Sequence, residues 1–367
     1  MIKIAVDVGT TNIDMAFYDM DKDIIISEKS FHNRQSLYGR DVINRINTVK
    51  RDKSFIAKLK ALVTSDIIAE ADIEISKDRF KYSDINEVCL SGNTTMISIL
   101  LDYDISNMGE SPYPTKLKKS VVKSSYEIFG KDVPFDCDVI LTGCASAFIG
   151  GDILSGYNYL NLDNSHNFLF IDLGTNGEMI LNNKGILHAA SAACGPAFEA
   201  SLKRQNVYGS TALDAVSLLL ATGKLSYGGI LKDEYIEKGV NINNIHITQD
   251  IIREILLAKA AIISCMEGLI KNANLSYDEI DKTYLAGGFG SFLNIENAVK
   301  LGLFPKKLEG KITVCGNTSL LGALLILKDN GMIERIDRLS ESIEVVSLTE
   351  LKGYSDSLID NMFFKEI

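Results

Sequence analysis

Ile2-Lys3-Ile4-Ala5-Val6-Asp7-Val8-Gly9-Thr10-Thr11-Asn12 opens the chain, and Phe168-Leu169-Phe170-Ile171-Asp172-Leu173-Gly174-Thr175-Asn176-Gly177-Glu178 recurs near its middle. Each stretch is an apolar run ending in Asp, then one hydrophobic residue, then Gly-Thr and small polar residues. A second apolar run follows each time, Ile13 to Tyr18 in the first copy and Met179 to Leu181 in the second. Apolar run, Gly-containing turn and apolar run together read as a β-hairpin. One such hairpin is an ordinary tight turn. Two with the same order of Asp, Gly and Thr point to a device used twice.

The residue types explain what that device holds. Glycine lets the backbone come close to an anion. Turn N–H groups, helped by the Thr hydroxyls, suit phosphate oxygens. An Asp at the strand end suits Mg²⁺ through water, because Mg²⁺ keeps much of its hydration shell beside phosphates. Two such hairpins facing each other would clamp a triphosphate.

A third strand, Lys282 to Ala286, runs into Gly287-Gly288-Phe289-Gly290, and a helical pattern resumes from Asn294 to Val299. Glycines at a strand-to-helix joint admit a flat or phosphorylated ligand, and a helix N-terminus favours anions. Two further joints lie between and after these motifs. Asp138 to Gly143 leads into a predicted helix from Ala145 to Leu160, and Lys311 to Asn317 leads into one from Ser319 to Leu327. Small residues (Ala145, Ala147, Gly150, Gly151; Gly322, Ala323) would let these two helices cross closely, either as a hinge or simply as tight core packing.

A chain of 367 residues suits two domains of ordinary size. Hydrophobic residues at 46% and charged residues at 23% give the balance of a folded soluble protein. A net charge of −10 without a basic run argues against a nucleic-acid partner. Met1 to Val6 runs straight into a strand, so no signal peptide is expected. The most apolar helical stretch, Ile251 to Ile270, carries Arg253, Glu254, Lys259 and Glu267, so it reads as a core helix and no membrane partner is expected. Cys89, Cys137, Cys144, Cys194, Cys265 and Cys315 form no CxxC pair. They read as buried thiols in a reducing cytoplasm, with no iron–sulfur cluster in this chain. His32, His166, His188 and His246 show no metal spacing.

The order of these five pieces resembles the actin, hexokinase and heat-shock ATPase (ASKHA) superfamily. Its phosphate-1, connect-1, phosphate-2, adenosine and connect-2 motifs map to residues 7–12, 145–160, 172–178, 285–290 and 316–325. The implied fold is α/β: a two-lobed actin-like ATPase with ribonuclease H-like duplicated lobes and a nucleotide cleft between them. On that reading residues 1–165 form the N-terminal lobe and 166–335 the C-terminal lobe, its last helix returning to the hinge, with 336–367 as an extension.

Further stretches narrow the match: Asn33-x-Gln35; Tyr38-Gly39-x-Asp41-Val42-Ile43-x-Arg45-Ile46; Gly92-Asn93-Thr94-Thr95-Met96; Ala193-Cys194-Gly195-Pro196-Ala197-Phe198-Glu199; Ile247-Thr248-Gln249; and Leu257-Ala258-Lys259-Ala260-Ala261. Together they are similar to the ATPase domain of reductive activators of corrinoid-dependent methyltransferase systems. Members of that family couple ATP to returning a Co(II) corrinoid to Co(I).

The resemblance implies ATP and Mg²⁺ as cofactors, with Asp7 and Asp172 as metal-linked carboxylates and Asp152 as the connecting-helix carboxylate in the catalytic set. It places nucleotide contacts at Gly9, Thr10, Thr11, Asn12, Gly174, Thr175, Asn176, Gly177, Glu178, Glu199, Lys259, Gly287, Gly288, Phe289, Gly316 and Asn317. Purely structural readings also exist: Asn93 or Thr94 as a helix cap, Thr248 as another, Glu199 as a carboxylate at a helix start and Lys259 as a snorkelling surface lysine. The implied partner is a corrinoid protein or corrinoid-dependent methyltransferase. A separate ferredoxin or flavodoxin would supply the electron, and a homodimer is one assembly left open. Two other functions share the clamp: a sugar or carboxylate kinase with Asp152 as base, and a nucleotide-dependent scaffold with little turnover.

Overall fold

The computed structural model describes residues 1–194, 209–242 and 245–367. Fourteen strands are present among them: β1 (Ile2–Val8), β2 (Asn12–Asp19), β3 (Ile24–His32), β4 (Ile85–Gly92), β5 (Val121–Ser124), β6 (Asp138–Leu141), β7 (Phe168–Leu173), β8 (Gly177–Asn183), β9 (Ile186–Ala192), β10 (Val240–Ile242), β11 (Ile245–Ile247), β12 (Lys282–Ala286), β13 (Ile312–Gly316) and β14 (Glu344–Val345). The helices that bear on function are α1 (Val42–Arg51), α2 (Phe55–Ser76), α3 (Thr94–Leu100), α4 (Gly151–Leu160), α5 (Gln249–Asn272), α6 (Thr318–Lys328), α7 (Gly331–Ser342) and α8 (Tyr354–Asp360).

The chain divides into two compact units, residues 1–162 with 317–343, and residues 163–316 with 344–367. The first unit holds a six-stranded sheet in the order β3-β2-β1-β4-β6-β5. The second holds β13-β12-β7-β8-β9-β14, and β10 and β11 form a separate ribbon. The same motif recurs in both sheets. β1 runs antiparallel to β2 and parallel to β4. β7 runs antiparallel to β8 and parallel to β12. Each central strand is apolar nearly throughout, as a strand covered on both faces must be. The Asp near its end is the polar residue common to both, with Lys3 at the start of β1 the other polar side chain.

Within the first unit, α6 packs against α4, β1 and β4. The closeness predicted from the small residues is realised: a Cβ added at Gly322 would stand 2.3 Å from the Ser155 carbonyl oxygen. Leu320, Ala323, Leu324, Ile326 and Leu327 of α6 are buried, each large side chain contributing roughly 1.5–3 kcal/mol of hydrophobic stabilisation. In the second unit α5 lies on β8 and β9, its N-terminus capped by Thr248, whose hydroxyl accepts the Ile251 N–H at 3.3 Å. No described helix is long and apolar enough to cross a membrane.

The structure departs from expectation in three places. Residues 145–150 are not helical, and α4 starts at Gly151. There the Ser146 hydroxyl accepts the N–H groups of Phe148 and Ile149 at 3.2 and 3.1 Å, which favours a tight turn over a helix. Residues 317–335, expected in the second lobe, belong to the first unit. Residues 336–367 are not one extension. Through Ser342 they complete α7, held to the first unit by Ser120, whose N–H and hydroxyl donate to Asp337 at 2.8 and 2.7 Å. From Glu344 they join the second unit, where β14 pairs with β9 and α8 packs on α5.

Candidate functional site

In the first unit the hairpin places Asp7 of β1 directly opposite Asp14 of β2. Asn317, at the N-cap of α6, bridges them: its Nδ2 donates to Asp7 Oδ2 at 3.0 Å and to Asp14 Oδ2 at 2.9 Å. Its Oδ1 meanwhile accepts the Leu320 N–H at 2.9 Å, so helix capping and carboxylate bridging come from one side chain. Ser319 donates to Asp7 Oδ1 at 2.9 Å and lies 3.1 Å from the Ser91 hydroxyl, which is 2.7 Å from that of Ser155.

Removal from water pushes the Asp7 carboxyl well above the usual carboxylate range. The like charges of Asp14 and Asp152 push it further, and the bonds from Ser319 and Asn317 only partly offset this. Asp14 is also raised, by burial first, against hydrogen bonds from Ser30 and Asn317. Asp152 sits in the first turn of α4. The turn residue Thr10 is buried, its hydroxyl accepting from Asn93 Nδ2 at 3.0 Å. Asn93 also caps α3 through the Met96 N–H at 3.0 Å, so its structural role and its place at the turn coexist. Thr11 is half-buried and Asn12 exposed.

The second unit repeats the hairpin with Asp172 opposite Glu178. Thr175 and Glu178 are buried, while Asp172, Gly174 and Asn176 are half-buried. Parallel pairing sets Ala286 beside Asp172, and Gly287 follows with φ +89°. A Cβ at Gly287 would fall 2.4 Å from Asp172 Oδ1 and 2.5 Å from the Leu173 carbonyl oxygen, so only glycine fits. Gly288 is exposed and open to any ligand atom. Gly316 closes β13 with open space where a Cβ would stand.

Two predicted contacts are placed elsewhere. Phe289 is buried in the second unit's core, because its ring packs with the apolar residues there. Lys259 is fully buried on α5, and its Nζ donates to the carbonyls of Asn361 and Phe363 at 2.9 and 2.8 Å. Burial pulls it down to about 8. It is therefore neither a snorkelling surface lysine nor directed to a nucleotide, and instead anchors the C-terminal segment. Glu199 lies outside the described residues.

Asp14, Ser319 and Ser91 escaped the sequence reading. Asp14 was hidden by the turn length: Glu178 follows Asp172 by six residues, whereas the first turn is one residue longer and the same count from Asp7 falls on Ile13. Ser319 and Ser91 reach Asp7 only through contacts distant in the chain.

Among the described residues no group of three or more His, Cys, Asp or Glu side chains makes a metal cluster. Mg²⁺ beside a nucleotide needs fewer protein ligands, typically one or two carboxylates completed by water and phosphate. Asp7 fits that role in the first unit, because the charges acting on it are carboxylates and a divalent cation would relieve them. The six cysteines are free, and burial pushes Cys137 and Cys194 up to about 12, far from the thiolates that ligate metals.

Residues 2–165 match the family described as the RACo middle region, and residues 166–215 and 207–367 match the C-terminal domain of RACo, the ASKHA domain. The corrinoid activation enzyme RamQ of Eubacterium limosum is 26% identical over 424 residues, covering 98% of this chain and 70% of that protein. A Co(II) methylated amine-specific corrinoid protein reductase of Methanosarcina barkeri is 24% identical over 367 residues, covering 82% and 67%. The solved structure of a reductive activator for corrinoid, iron-sulfur protein aligns with a TM-score of 0.88 at 26% identity, covering 99% of this chain and 66% of that one. The chain thus spans about two thirds of the length of these relatives. It belongs to the RACo family, carrying that family's middle region and its C-terminal ASKHA domain.

Proposed function

We propose that this chain binds ATP with Mg²⁺, hydrolyses it, and supports the reductive return of a corrinoid protein from Co(II) to Co(I). The observation that carries this reading is the Asp–Gly–Thr hairpin, built twice in a chain matched end to end by the RACo family. The turn at Gly9, Thr10 and Thr11 in the first unit, and that at Gly174, Thr175 and Asn176 in the second, take phosphate oxygens. Gly287 and Gly288 take the nucleoside.

Mg²⁺ when bound supplies charge neutralisation at the phosphates, with Asp7 and Asp172 as its water-linked carboxylates. Asn317 and Ser319 hold the Asp7 carboxylate in one orientation. Asp152 orients the attacking water. ATP influences the corrinoid partner only if its bound and hydrolysed states differ in affinity for that partner. The electron comes from a separate low-potential donor such as a ferredoxin or flavodoxin, and the partner is a corrinoid protein or corrinoid-dependent methyltransferase.

The test mixes the protein with a Co(II) corrinoid protein, a strong reductant and Mg-ATP, and follows the visible spectrum. The expected result is Co(I) that accumulates with ATP and not without it. Equal accumulation in both would remove the coupling from this protein.

A further inference from the structure

We infer that Arg45, with Asn33, is a positioning residue for phosphate binding: it fixes the direction of the peptide groups in the Gly9–Thr10–Thr11 turn. The inference rests on the ATP-binding reading above and names residues to which that reading assigns no role. Arg45 lies on α1, far along the chain from the turn, and neither Asn33, Gln35 nor Arg45 exposes any surface. A guanidinium buried without partners would be severely destabilising, so its donors show what it is there to hold. Nε donates to the Gly39 carbonyl at 3.0 Å and Nη1 to Gln35 Oε1 at 3.0 Å. Nη2 donates to the carbonyl of Thr10. Burial pulls the group down only to about 10, so it stays charged at neutral pH.

The neighbouring carbonyls of the turn are held from the same side chain layer and the segment that carries it. Asn33 Nδ2 donates to the Gly9 carbonyl at 2.9 Å, and the Asn33 N–H donates to the Thr11 carbonyl at 2.8 Å. The layer is itself locked. Gln35 Oε1 also accepts from Asn33 Nδ2 at 3.3 Å, and Gln35 Nε2 donates to the Leu59 carbonyl of α2 at 2.9 Å. Three consecutive carbonyls therefore point into one buried polar layer. A trans peptide sends its C=O and N–H in opposite directions. Holding the carbonyls of Gly9, Thr10 and Thr11 thus turns the N–H groups of Thr10, Thr11 and Asn12 away from the layer, the arrangement an anion-binding turn needs. Fixing it before the ligand arrives removes the ordering cost from binding.

The test compares Arg45→Met and Asn33→Asp with the wild type, titrating each with Mg-ATP and with adenosine by calorimetry, after a thermal melt confirms folding. Asn33→Asp keeps the side-chain oxygen that accepts the Gln35 N–H at 3.0 Å and removes the donor to Gly9. The expected result is a loss of about tenfold or more in ATP affinity, the scale of one charge-assisted hydrogen bond, with adenosine affinity unchanged. A merely structural role would weaken both ligands together or neither, and either outcome in a folded variant overturns the inference. Should Arg45→Met fail to fold, Asn33→Asp decides. A wild type that binds adenosine but gains nothing from the phosphates, or binds neither, would overturn the ATP reading itself, a result distinct from a variant matching a competent wild type.

Discussion

Asp7 is acted on by two other carboxylates and by two neutral donors, Ser319 and Asn317, and its proton is held more tightly than an ordinary Asp would hold it. A carboxyl raised in the folded state costs stability once it ionises. Asp7→Asn is expected to leave the melting temperature unchanged or raised while lowering ATP hydrolysis by about a hundredfold, a typical loss for one electrostatic group at a reacting centre. Phosphate release and a thermal melt on the same sample check both halves. A large drop in melting temperature would mean that Asp7 is a structural residue.

Glu74 shows the opposite case. Burial alone would raise it, but the bonds from Lys29 and Lys77 outweigh that cost and bring it down to about 2. Arg79 is a further partner at 2.6 Å. Because the folded value lies below the unfolded one, its contribution is fully present above about pH 4.5 and is lost as pH falls toward 2. Glu74→Gln should lower stability at pH 7 by about 1–3 kcal/mol, with the gap closing near pH 2. Urea unfolding at pH 7, 4 and 2.5 measures it, and a gap that did not change with pH would refute the electrostatic account.

At the scale of elements, caps and hairpins were the most legible parts of the chain. Thr248 caps its helix as its type and position predicted, Asn93 rather than Thr94 caps the other, and both hairpins pair where the apolar runs stop. Local chemistry decides these, so sequence reveals them. Residues 145–150 went the other way because a serine side chain competes for the backbone donors that a helix would use. Lys259 was illegible for another reason: its partners, the carbonyls of Asn361 and Phe363, lie about a hundred residues away. Lys259→Met should leave those carbonyls unsatisfied and speed hydrogen exchange across residues 357–367 by about tenfold, with ATP affinity within about twofold of wild type. Loss of ATP affinity without faster exchange would restore Lys259 to the nucleotide.

For the whole molecule, ligand linkage offers a direct check. At a hundred times its dissociation constant, a ligand bound by the folded state alone adds about 2.7 kcal/mol. Mg-ATP should therefore raise the melting temperature by several degrees, and EDTA should remove most of that gain. A melting curve indifferent to EDTA would argue against a metal-linked nucleotide. Because the chain divides into two units, the unfolding curve need not be a single transition, and each step should be followed separately.

The sequence by itself determined that an apolar strand in each half ends in Asp and one hydrophobic residue before a Gly-Thr turn, that two domains of α/β type are present, and that the chain carries family-specific stretches around residues 33–46. Those features are written in local patterns of hydrophobicity, turn residues and spacing. Only the tertiary structure decided that Asn317 and Ser319 reach back to Asp7, that residues 317–343 leave the second unit for the first, and that Arg45 holds the carbonyl of Thr10. Each depends on a contact between residues distant in the chain. Such contacts form because buried polar groups must find partners wherever the packed elements bring one within reach.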